Sequence, residues 1–125
     1  MNLACFTLWL GAATFGALGA LLALAPQLLE TWVGIRADSP AARTELRSFY
    51  GGLEIGLAAF LVACALRDDW VIPGCCGLAM ICAGIALVRV VGFAIDGSVE
   101  GKLLGFLGTE LLFVVLGTIS VLRAR

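Results

Sequence analysis

The 125 residues are 62% hydrophobic and 14% charged, well outside the roughly 45–50% apolar and 25% charged of soluble domains, and the length suits a single domain, 1–125. Eight Lys and Arg against nine Asp and Glu leave a net charge of −1, and histidine is absent. The balance excludes a basic nucleic-acid binder, and the missing histidine removes the commonest metal ligand and general base.

The first 29 residues carry no charged side chain; Glu30 is the first. Ala23-Leu24-Ala25 resembles a small-residue cleavage site. However, no Lys or Arg precedes the apolar run and Pro26 would open the mature chain, so a retained transmembrane helix over about 3–25 is expected. Pro26 suits the first turn of a short interfacial helix carrying Leu28, Leu29, Trp32 and Val33, with Trp32 at headgroup level and Gly34 as the stop. Asp38 or Ser39 then caps a second main helix with Pro40 just inside its start, the membrane part running over about 45–66. Arg67-Asp68-Asp69 is a tight turn, with Asp69 able to cap a third helix over about 70–95. A fourth covers about 102–122. Each run approaches the ~20 apolar residues that cross a bilayer as helix, and short loops force antiparallel neighbours. The expected fold is all-α: an up-down bundle of four transmembrane helices with a short interfacial helix after the first. Arg67, Arg123 and Arg125 at one end against Arg36, Arg43, Arg47 and Lys102 at the other leave the orientation open.

Few ionisable residues lie inside these spans. Glu54 follows Arg47 by seven residues, two turns, so both should share a face with Glu54 ~10 Å deeper. Arg89 lies ~10 Å inside Asp96, and Glu110 ~12 Å past Lys102. The first and third connections emerge at the same end, so Glu54, Arg89 and Glu110 converge at one depth. Charges there face the bundle interior and pair. Two carboxylates and one guanidinium leave a negative excess, so either one glutamate carries a proton or a cation or polar ligand completes the site. Tyr50, four residues before Glu54, adds a hydroxyl to the same face, and Arg47 stands above it. An equal expectation is structural: Arg89 bridging both glutamates to lock three helices in register. Asp96-Gly97 reads as a helix-ending turn.

Small residues at four-residue spacing (Ala12, Gly16, Ala20; Gly52, Gly56; Gly101, Gly105) suit close helix packing, and Gly51-Gly52 leaves room beside Glu54. Cys5, Cys64, Cys75, Cys76 and Cys82 lack metal-site spacing and read as small hydrophobes; no metal and no cofactor is expected.

The segment Glu45-Leu46-Arg47-Ser48-Phe49-Tyr50-Gly51-Gly52-Leu53-Glu54-Ile55-Gly56 resembles the R-x-x-Y-G-G signature of a bacterial membrane family, domain of unknown function four-three-four-five. Arg89-Val90-Val91-Gly92-Phe93-Ala94-Ile95-Asp96-Gly97 and Glu110-Leu111-Leu112 resemble its other marks. The resemblance implies a DoxX-like four-helix architecture and a multi-pass protein of a bacterial inner membrane. It also implies that glutamine is common at the position of Glu54, and Ser98-Val99 stands where proline often follows the Asp-Gly pair. No activity comes with it.

The leading expectation is a non-enzymatic protein with no catalytic residue: an accessory or assembly subunit of a larger membrane complex, or a binder of a small apolar ligand. Its partners would be the lipid bilayer and other subunits or further copies of itself. The alternatives are a proton-coupled small-molecule transporter working as a dimer, and an intramembrane lipid-modifying enzyme using Glu54 and Glu110 as acid and base.

Overall fold

A computed structural model describes residues 2–124 and is all-helical apart from short connections, with no strand among the described residues. Helix α1 (Leu3–Leu24) begins at Asn2, whose side chain accepts a hydrogen bond from the Cys5 N–H (2.8 Å), and satisfies a donor that the first turn leaves unpaired. Helix α2 (Leu28–Val33) stops at Gly34, whose φ of 74° is left-handed and whose N–H donates to the Glu30 carbonyl (3.0 Å), an αL closure. Helix α3 (Pro40–Leu46) starts at Ser39, not Asp38: the Ser39 hydroxyl accepts from Ala42 N–H (3.1 Å) with Pro40 beside it.

From Arg47 to Gly52 the same helix widens into a π segment before continuing as α4 (Leu53–Ala65), so Leu53 N–H reaches the Ser48 carbonyl, five residues back. The sequence supplies reasons for the loosening. Ser48 spends its hydroxyl on the Thr44 carbonyl (3.0 Å), and Gly51-Gly52 is a weak helix former. Helix α5 (Asp68–Asp96) begins two residues earlier than the sequence suggests and has no side-chain cap at Arg67; that guanidinium lies over the Trp70 ring at 4.4 Å instead. It ends, as the Asp-Gly pair predicts, at Gly97 (φ 62°). Helix α6 (Gly101–Leu122) returns across the bundle.

Four stretches, Leu3–Leu24, Pro40–Ala65, Asp68–Asp96 and Gly101–Leu122, are long and apolar enough to cross a membrane. They run up-down-up-down. Arg67 and Arg123 lie at one end; Arg36, Arg43, Arg47 and Lys102 lie at the other; Arg125 lies outside the described residues. Packing is uneven along the bundle. In the half near Arg67, Leu8, Leu61, Cys75, Leu78 and Phe113 are fully buried. The helices there approach at glycine: a Cβ on Gly74 would stand 2.6 Å from Cys64 Cβ, and one on Gly117 would stand 2.7 Å from the Cys75 carbonyl. Toward the other end α1 stays close to α4 and α6 to α5, while α4 and α5 part.

Candidate functional site: a membrane cavity around Glu54

The parting of α4 and α5 can be followed residue by residue. Gly74 of α5 lies against Cys64 of α4. Ile85, eleven residues and about three turns further along the same face, should meet α4 again but is 41% exposed. On the α4 side Leu53 and Phe49 are 65% and 66% exposed. The wedge between them leads into a cavity of about 610 Å³, within the range that holds a drug-sized ligand.

Each helix contributes one wall. Thr14, Phe15, Leu18 and Leu22 come from α1; Phe49, Tyr50, Leu53 and Glu54 from the π segment and α4; Ile85 and Arg89 from α5; Leu103, Phe106, Thr109 and Glu110 from α6. Helix α2 and the residue after its stop form a roof through Leu29, Trp32, Val33 and Ile35. Trp32 packs inward, 6.4 Å from the Phe106 ring centroid. The roof is tied down by Lys102, whose Nζ donates to the Thr31 carbonyl (2.8 Å). A Glu30–Arg36 ion pair (2.6 Å) sits outside it.

The three expected intramembrane charges do line one cavity, but they are not one network. Arg89 donates through Nε to both carboxylate oxygens of Glu110 (3.1 Å each) and through Nη2 to Oε1 (2.5 Å), and its guanidinium carbon lies 5.6 Å from the Phe106 centroid. The pair is mostly buried, with side-chain exposures of 23% and 10%. A two-point grip of this kind is the strongest arrangement available to Arg and carboxylate. The expected bridge from Arg89 to Glu54 is not made. Glu54 forms no hydrogen bond among the described residues, and its Oε2 is buried without a partner. The cause lies behind it: α4 is pressed onto α1, where a Cβ on Gly19 would meet Glu54 Cβ, the Gly51 carbonyl and Ile55 N at 2.8 Å each. That contact holds Glu54 to the α1 side of the cavity.

Arg47 also departs from expectation. Its Nε donates to the Ala23 carbonyl (3.2 Å), so it closes the exposed carbonyl end of α1 and does not line the cavity. Two α turns would have placed it over Glu54, but the π segment advances each residue by less than the ~100° of an α-helix and swings Arg47 away. Tyr50, inside that segment, keeps a place in the wall. Among the glycines, Gly51 is the packing residue: a Cβ there would stand 2.8 Å from the Ala23 backbone. Gly52, Gly56, Gly101 and Gly105 have at most one atom near a would-be Cβ and face outward, so their spacing serves no contact within the chain. In α1 the tight approaches are at Gly11 and Gly19, with Gly16 in ordinary contact with Ala58 (3.4 Å).

Phe106 is the wall residue that spacing could have revealed, since it stands one turn before Glu110 on the same face. No comparable signal marks Leu53 or Ile85, whose roles come from the splaying of two helices. A second groove of about 290 Å³ lies between Met80 and Thr118 on the outer side of α5 and α6; it holds no carboxylate or guanidinium. Among the described residues, no three His, Cys, Asp or Glu side chains come together to hold a metal ion.

The profile of one protein family, described as Domain of unknown function (DUF4345), matches residues 3–120, a stretch that contains every cavity residue named above. No curated protein and no solved structure matches the chain.

Proposed function

The chain belongs to the DUF4345 family, and from that premise we propose that it is a non-enzymatic membrane-spanning receptor for a small, largely apolar molecule carrying one polar group. One observation carries the reading: the unpartnered Glu54 carboxylate, one of whose oxygens is buried, lines a mainly apolar cavity whose other two charged groups, Arg89 and Glu110, are paired with each other. A carboxylate without a partner is costly away from water, and a ligand that supplies a contact to it from the cavity recovers part of that cost on binding. A cavity built only for packing would instead have been filled by side chains, since interiors are close-packed.

The wedge between Leu53 and Ile85 lies within two of the stretches apolar enough to cross a membrane, so an apolar ligand would arrive through the bilayer and not through water. An accessory role in a larger complex rests on the apolar outer faces of α5 and α6, which lipid would cover equally well. The Arg89–Glu110 pair fits a structural part: it holds α5 to α6 while α4 stands away.

Native mass spectrometry in maltoside micelles tests this. The wild type should retain one lipid-like adduct to higher collision energy than Leu18→Trp, which fills the cavity from α1. Equal retention by both proteins, with both melting cooperatively, would overturn the proposal.

A further inference from the structure

The chemistry of the head group can be drawn from how the cavity's charges are distributed. Arg89 is committed: two of its nitrogens grip Glu110 and its guanidinium lies over Phe106. The one cation in the wall is therefore neutralised by the carboxylate it holds. Glu54 has no such partner. Of the charged groups that line the cavity, two carboxylates and one guanidinium, the uncompensated one is the Glu54 carboxylate. Aromatic rings stand on the same walls, Tyr50 and Phe49 on the chain that carries Glu54 and Trp32 on the roof. An aromatic lining suits a cation, and a wall carrying an unpaired carboxylate is a poor site for an anion.

We propose that the ligand is a single-chain amphiphile with a cationic, ammonium-type head: the ammonium pairs with Glu54 inside the cavity, and the apolar tail reaches the bilayer between Leu53 and Ile85. This rests on the receptor reading above and adds the sign of the ligand's charge and its path. The head would meet a carboxylate held ready by the Gly19 contact, so little is spent on ordering the site. The tail would stay in an apolar environment from bilayer to cavity, so it would not cross water. A neutral head would give Glu54 a hydrogen bond but no counter-charge, and a carboxylate head would add a like charge.

Three probes of equal chain length separate the heads: protonated dodecylamine, dodecanol and dodecanoate. Each is added to the full-length protein in maltoside micelles, and 1:1 adducts are counted by native mass spectrometry alongside the melting temperature. Dodecylammonium should bind the wild type about tenfold or more tightly than dodecanol, as expected for a charge-assisted contact, and dodecanoate should bind least. Glu54→Gln should abolish the preference, whereas Glu54→Asp should keep it. Equal binding of all three heads, or an undiminished preference in a folded Glu54→Gln, would overturn the cationic head and leave the receptor reading standing. Failure of every probe to bind the wild type would count against both. The ranking of the three heads in the wild type needs no variant, so the test survives if Glu54→Gln does not fold.

Discussion

Gly19 and Glu54 stand so close across the α1–α4 contact that a methyl group on the first would lie 2.8 Å from the β carbon of the second. The absent side chain on one helix thus fixes where the carboxylate on the other can be. Gly19→Ala should force the two helices apart and cost about 1–3 kcal/mol, the usual penalty of overpacking. Gly56→Ala, where nothing lies within 4 Å of the new methyl, should be neutral or slightly stabilising. Thermal unfolding of both variants in the same detergent checks the contrast.

The Arg89–Glu110 pair should behave as a unit. Removing either partner alone, as Arg89→Met or Glu110→Leu, leaves a mostly buried charge unpaired and should cost about 3 kcal/mol or more. The double variant should be more stable than the sum of the two losses allows, with a coupling of about 1–3 kcal/mol. Additive losses in a double-mutant cycle would show that the two groups do not depend on each other.

The roof should loosen at one hydrogen bond. Lys102→Ala removes the donor to the Thr31 carbonyl, leaving Trp32 against Phe106 as the main remaining tie between α2 and α6. Amide hydrogen exchange over residues 28–34 should rise several-fold, since ties of this kind set local opening, while exchange in the half of the bundle around Leu78 and Phe113 should not change.

Ser39 and Asp38 provide a sharper test of the second span's start. Only Ser39 bonds the Ala42 amide, so Ser39→Ala should destabilise by about 1 kcal/mol and Asp38→Ala by much less. A larger loss from Asp38→Ala, measured by chemical unfolding in micelles, would contradict the observed cap.

Much of this architecture is legible in the residues themselves. Long apolar runs with few charges mark the spans, Ser39-Pro40, Gly34 and Gly97 mark helix ends, and the depths of Glu54, Arg89 and Glu110 follow from counting along helices of fixed rise. What counting does not supply is distance between helices. It places three charges at one level but does not say that Arg89 favours Glu110, because that choice depends on α4 leaning toward α1 and away from α5. The lean comes from Gly19 and Gly51 meeting Glu54 and Ala23, a fit between surfaces that no single stretch displays. For Arg47 the departure is local: a seven-residue count assumes an unbroken α-helix. The sole warning was a Ser and two glycines within six residues.

That widened turn at Arg47–Gly52 has a genetic reading. A π segment amounts to one residue added to an α-helix, so the face that α3 presents relative to α4 is set by chain length and not by side-chain identity. Deleting Ser48 alone would restore an unbroken α-helix and rotate everything before it by about 100°, carrying Arg47 off the end of α1 without touching Glu54. Within this protein's descent, gain or loss of a single codon there would turn the whole face of α3 and Arg47 at once, which no single substitution in the segment does.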